Sequence, residues 1–373
     1  MSADWYHSPA ARTWTGDSAA APVRQFHRSM PGYAPTALHD VPDLARELGV
    51  ASVRVKDESA RLGLPAFKIL GASWACANVV AARFGTDPTD LASLRRAAEG
   101  ERIEFVTATD GNHGRAVARM AALFGMTSTV FVPAAMVASA AQAIADEGAR
   151  VERSKGDYDE AVAEAARYAD QARERALVQD TAWDGYVQVP EWIVQGYETL
   201  LLEIDEALPE PPDLVVVPVG VGSLAQAVVS HYRRDSSSRR PALLSVEPRT
   251  AACALASLSA GESVTVAVGG SVMAGLNCGT VSASAWPVLR DGLDGAIAIS
   301  DEQALHAAAD LNRAGVSSGP SGASTLAGLR AALAVPERRR ALEITTTSTV
   351  VLLNTEGSRQ APRADTAGSP APS

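Results

Sequence analysis

The sequence predicts an α/β fold in which parallel strands are covered by helices on both faces. Three observations carry this. Short β-branched runs alternate with longer segments of helical period, the pattern of repeated βαβ units. The central ones among those runs, such as 214–219 and 296–299, are apolar throughout instead of alternating, as strands buried on both faces are. No repeat of solenoid length competes with this reading.

Strands are read at 52–56, 103–107, 128–132, 150–153, 214–219, 243–247, 296–299 and 349–353. Helix ends are marked chemically. Ser300 with Gln303 three residues on forms a capping box, and Gly85, Gly125 and Gly148 stand where helices stop. The first two dozen residues mix Pro, Ala, Ser and charges without period, and 357–373 holds no large apolar residue, so both ends are expected to fray.

The 373 residues allow two domains, and 47% hydrophobic with 20% charged residues is the balance of a folded globular protein. Lys plus Arg number 33 against 43 for Asp plus Glu, a net charge of −10 that argues against nucleic acid as a partner. Cys76, Cys253 and Cys278 are too few and scattered for a disulfide framework or a zinc site, which fits a reduced, cytoplasmic setting and no metal. No apolar run approaches the ~20 residues of a membrane helix, and residues 1–10 contain no apolar signal core, so neither membrane nor secretion is expected.

Four segments could carry chemistry. The strand at 214–219 runs into Gly220-Val221-Gly222-Ser223 and then a helix, where exposed N–H groups and the helix dipole favour an anion. The third glycine of a dinucleotide fingerprint is missing, so a single phosphate is more natural there, and a plain strand-to-helix turn is the simpler alternative. Thr109-Asp110-Gly111-Asn112-His113-Gly114 follows a strand and opens a helix; its polar groups can cap that helix or meet a carboxylate or phenolic oxygen. Lys68 begins a nearly all-apolar helix reaching Phe84, where burial penalises its charge unless it is paired, removed as a Schiff base, or snorkels to solvent. Ser321, in Ser318-Gly319-Pro320-Ser321-Gly322, opens a late helix as a cap or as a partner for a ligand nitrogen.

In that order, lysine, G-N-H-G, G-V-G-S and S-G-A, the chain resembles the pyridoxal-phosphate enzymes of fold type II, built like the tryptophan synthase β subunit. Over about residues 33–354 it is most similar to the diaminopropionate ammonia-lyases, through the stretch around Lys68, T-D-G-N-H-G, Gln179-Asp180-Thr181-Ala182-Trp183-Asp184-Gly185-Tyr186 and Met273-Ala274-Gly275-Leu276-Asn277-Cys278-Gly279. The resemblance implies two domains of twisted parallel sheet flanked by helices: a larger one of 1–71 plus 196–356 and a smaller inserted one of 72–195, with 357–373 a disordered tail.

It further implies that Lys68 carries pyridoxal 5'-phosphate and that Gly220, Val221, Gly222 and Ser223 bind the phosphate. Asn112 would contact the pyridine 3-hydroxyl, and Ser321 the ring nitrogen, leaving the ring unprotonated. Thr109, Asp110, Gly111 and His113 would receive the substrate. Elimination needs a base for the α-proton and an acid for the leaving group, and Asp110 and Asp180 are the candidates. A carboxylate facing an amino acid's own carboxylate is an electrostatic cost that a second, β-ammonium group offsets. The family pattern gives Asp180 the L-isomer and Asp110 the D-isomer of 2,3-diaminopropionate, which passes through aminoacrylate to pyruvate and ammonia in a homodimer. Serine and threonine dehydratases usually carry Ser where Asp110 stands.

One departure is Pro320, which stands where the family often has a glutamate, removing a carboxylate from the pyridine edge. Cys253 and Cys278 occupy matching places and either approach as a pair near the entrance or remain reduced. Two alternatives stay open: another pyridoxal-phosphate β-elimination or β-replacement on a related amino acid, and a cofactor-binding homologue without turnover.

Overall fold

The computed structural model describes residues 4–16, 21–109, 111–234 and 240–358. Asp110 therefore lies outside the described residues, as does the tail from 359. Eleven strands occur among the described residues: β1 (Trp5–His7), β2 (Leu38–Asp40), β3 (Ser52–Asp57), β4 (Glu104–Ala108), β5 (Thr127–Val132), β6 (Arg150–Arg153), β7 (Arg175–Leu177), β8 (Leu214–Pro218), β9 (Ala242–Pro248), β10 (Gly295–Ile299) and β11 (Thr349–Asn354). They build a seven-stranded sheet, ordered β1-β10-β9-β8-β11-β3-β2, and a four-stranded sheet, ordered β6-β5-β4-β7.

All eight expected strands are present. Every residue of β8, β9 and β10 is buried, which is why β8 and β10 are apolar without alternation, while β9 carries Ser245 and Glu247 into the interior. Two apolar clusters lie on the large sheet's faces, and they divide β8 between them, with Val215 and Val217 in one and Leu214 and Val216 in the other. The fold is α/β, with all three pairs of the small sheet parallel and the large sheet parallel in its interior.

The edges correct two expectations. Trp5–His7 pairs antiparallel with β10, placing Trp5 opposite Ile297, so residues 4–16 are tied down where fraying was expected. Leu38–Asp40 likewise pairs antiparallel with β3. At only three residues each, β1, β2 and β7 are too short to display a period, and pairing with a longer strand is what fixes them. The capping box at Ser300 and Gln303 forms, and Gly85 and Gly125 end their helices with φ of 67° and 70°. Gly148 follows a helix that has already stopped at Ala145.

The helix Lys68–Phe84 is set by a close crossing. A Cβ on Gly196, in the helix Gln188–Ala207, would lie 2.4 Å from Leu70 O and 2.6 Å from Gly71 Cα. Glycine at both positions lets the two backbones approach directly and fixes the height at which Lys68 enters the site. Two turns further along the helix Gln188–Ala207, Glu203 receives Lys56 at 2.6 Å and Arg61 at 2.7 Å, and Arg61 also reaches Glu58 at 2.6 Å. Two cations and two anions thus balance one another in the interior. The expected domain junctions at 71/72 and 195/196 fall inside these two helices, so the helices run through the junction.

Candidate active site

A cleft between the two sheets gathers residues from all four expected segments. At one end, β8 delivers Gly220 to Ser223, and Ser223 begins the helix Ser223–Tyr232. Gly222 has φ 98°, and a Cβ on Gly220 would meet Gly275 O at 2.9 Å, so both must be glycine for this tight turn. The first N–H groups of that helix have no carbonyl a turn earlier and form an anion site. The Ser223 hydroxyl is already engaged, donating to Asp180 O at 2.6 Å. That bond holds the strand-to-helix turn against the 179–186 segment.

Lys68 Nζ lies 2.5 Å from Asp180 Oδ2. Burial opposes charge on Lys68, but the Asp180 carboxylate outweighs it and holds the ammonium above its ordinary range. Burial alone would raise Asp180; Lys68, then His113, bring it below the usual carboxylate value. Around this pair the 179–186 motif braces itself. Gln179 accepts from Ala108 N at 2.9 Å and Thr107 Oγ1 at 3.1 Å, and its amide donates to Tyr158 Oη at 3.0 Å and to Asp180 Oδ1 at 3.2 Å. Tyr186 Oη accepts from Gln179 N and donates to Leu177 O, while its ring stacks on Trp183 with centroids 4.4 Å apart. Gln179, Trp183 and Tyr186 are thus the struts that aim Asp180, which explains the motif's length.

Across the cleft, Thr109 Oγ1 accepts from Gly111 N at 2.9 Å and Gly114 N at 3.1 Å. The capping role is real, and the hydroxyl proton remains for a ligand. Gly114 is glycine because a Cβ would lie 2.4 Å from Thr109 Cγ2. His113 Nε2 bonds Val178 O at 2.8 Å, so its proton sits there; burial lowers the ring's pKa, and Nδ1, buried and without a partner, lies 4.0 Å from Asp180 Oδ2.

At the other end, Ser321 opens the helix Pro320–Leu333, with its Oγ buried and without a partner. Asn112 Nδ2 donates to Glu356 Oε2 at 3.2 Å. Cys253 and Cys278 are buried cysteines outside any disulfide that flank Gly220: Cys253 Sγ is 3.7 Å from Gly220 O, and a Cβ on Gly220 would lie 3.3 Å from Cys278 Sγ. Tyr158, Gln179 and Glu356 were not singled out from sequence as site residues. Only Gln179 carried a signal, its place in the Q-D-T-A-W-D-G-Y motif.

An anion turn, an amine and a buried unpartnered hydroxyl facing one cleft fit a phosphorylated pyridine aldehyde. A family described as pyridoxal-phosphate dependent enzymes matches residues 30–356. The chain belongs to that family. Its cofactor is pyridoxal phosphate and it is a lyase. The diaminopropionate ammonia-lyase of Salmonella typhimurium is 37% identical over 308 residues, covering 79% of this chain and 76% of that one. The Escherichia coli diaminopropionate ammonia-lyase is 36% identical over 355 residues, covering 91% and 88%. A crystal structure of the Escherichia coli enzyme in complex with D-serine superposes with a TM-score of 0.84 at 32% identity, covering 95% of this chain and 93% of that one. The fold is thus that of the fold type II enzymes. Among the described residues no helix is long and apolar enough to cross a membrane.

Proposed function

We propose that the chain is a diaminopropionate ammonia-lyase, converting 2,3-diaminopropionate and water to pyruvate and two ammonia. The observation that carries this is the buried Asp180 carboxylate held against Lys68 by the 179–186 motif. When bound, pyridoxal phosphate supplies an electron sink for the bond broken at the substrate α-carbon. Lys68 would hold it by its amine, the 220–223 turn by the phosphate, Asn112 by the 3-hydroxyl, and Ser321 by the ring nitrogen.

Asp180 is the base for the L-isomer. With Lys68 cationic, its proton affinity is low; once Lys68 loses its charge, burial is the dominant influence left and Asp180 becomes a stronger base at Oδ2. His113, its proton directed to Val178 O, presents the Nδ1 lone pair toward the same oxygen, where it can accept a hydrogen bond from the proton that Asp180 takes up. Thr109 offers a hydroxyl proton, and Gly111 a backbone turn, to the substrate carboxylate. Asp110 serves the D-isomer. The smaller lobe, 72–195, closes on the larger across the cleft, the helices Lys68–Phe84 and Gln188–Ala207 being shared between them. The same reading makes the protein a cytoplasmic homodimer acting on a small amino acid.

The test is pyruvate release from DL-2,3-diaminopropionate by the purified holoenzyme, followed with a coupled dehydrogenase. Turnover without any added nucleophile is expected; a bound cofactor whose absorbance shifts with amino acids but yields no pyruvate would overturn the reading.

A further inference from the structure

The carboxylate that Pro320 removes from the ring end of the cleft returns from elsewhere in the chain. Glu356, two residues beyond β11, is buried and lines the same cleft. Its backbone is stitched on both sides. Thr355 O accepts from Phe67 N at 3.2 Å, Glu356 bridges Ala66, and Gly357 N donates to Pro65 O at 3.0 Å, so the strap lies directly against the residues leading into Lys68. On its other side Glu356 O accepts from Gly319 N at 3.1 Å.

The side chain divides its two oxygens. Oε1 accepts from Ser321 N at 3.2 Å, and Oε2 from Asn112 Nδ2 at 3.2 Å. Those are the two residues assigned to the ring nitrogen and the 3-hydroxyl, and they come from different lobes. Gly319 makes room for this arrangement, since a Cβ there would lie 2.8 Å from Glu356 Oε1.

We infer that Glu356 is a positioning residue for the cofactor ring, orienting the Asn112 amide and the start of the Ser321 helix. The inference rests on the ring-end assignment proposed above. A carboxylate only accepts, so it fixes the Asn112 amide with nitrogen toward Glu356 and leaves that nitrogen's second proton for a ring oxygen. Glutamine has the same shape but can accept or donate, so it satisfies either amide orientation and the selection is lost.

The experiment compares apo wild type, E356Q, E356D and N112A for equilibrium binding of pyridoxal phosphate and of its 3-deoxy analogue, read by tryptophan quenching. Wild type is expected to prefer the natural cofactor roughly tenfold, the strength of a bond to a charged oxygen. That preference should fall to about twofold in E356Q and in N112A. E356D keeps the charge on an arm too short to serve both partners and should also lose it, giving a second variant if E356Q folds poorly. Equal weakening of both ligands in E356Q and E356D, with the preference intact, overturns the inference while leaving Asn112 assigned. An intact preference in N112A overturns the ring-end assignment and the inference with it.

Discussion

Replacing Asp180 with Asn removes one charge and almost no volume. Oδ1 keeps its acceptor contact with Gln179 Nε2 at 3.2 Å, but an amide nitrogen faces Lys68 where the carboxylate stood at 2.5 Å. The site loses its base. General acid–base groups contribute about 10² to 10⁴ in rate, and burial of Asp180 means bulk water has little access to stand in for it. The upper half of that range is expected, a 10³-fold or greater fall in kcat for the L-isomer, or about 4 kcal/mol at 1.36 kcal/mol per tenfold. The D-isomer, served by Asp110, should fall far less. In D180N, Lys68 also loses the partner that outweighs burial, so its pKa drops and pyridoxal phosphate is captured at lower pH than in wild type. Lost turnover is thereby separable from lost cofactor. Coupled pyruvate assays on each isomer, with cofactor content measured on the same samples, give the comparison. A fall of less than tenfold for the L-isomer, or equal falls for both, would refute the assignment.

Three further outcomes are expected. K68A should keep its fold but lose the cofactor's visible-edge absorbance on dialysis, and persistence of the band would remove Lys68 from its role. G196A drives a Cβ to 2.4 Å from Leu70 O, both sides being helix backbone, so chemical denaturation should show a loss of about 1–3 kcal/mol; unchanged stability would contradict the crossing. Glu247 is fully buried and accepts from Ala254 N and Leu255 N, yet burial pushes its pKa from 4.5 up to about 7. Its folded pKa exceeds the unfolded one, so the native state holds the extra proton, and this group's contribution to stability declines as pH rises from 4.5 to 7. The full effect is at most about 3 kcal/mol; E247Q should flatten that slope in urea melts across this range, and an unchanged slope would refute it.

Most of the architecture and one wall of the site were legible in the residues themselves. The central strands announced themselves because a strand buried on both faces is apolar at every position, as β8 and β10 are, whereas the edge strand β6, Arg-Val-Glu-Arg, has no buried residue and was marked only by its place in the βαβ rhythm. The glycine turn at 220–223, the lysine at a helix start and the 179–186 motif are each contiguous, so their local geometry follows from neighbours in sequence. Three-residue edge strands carried no period, and the N-terminal one is set by its register with β10 and by Trp5 and Tyr6 packing on the core. Side-chain partners were less legible still. Thr109 spends its oxygen on two backbone donors, and Ser223 spends its proton on a carbonyl 43 residues away. Glu356 meets Asn112 across 244 residues. Sequence specified which residues are apolar, tightly turned or chemically capable, because those are properties of a residue and its near neighbours. Which carboxylate stands at each end of the cleft was decided by sheet order and strand register, since only pairing β11 beside β3 and β8 brings residue 356 to the mouth of a helix that begins at 112.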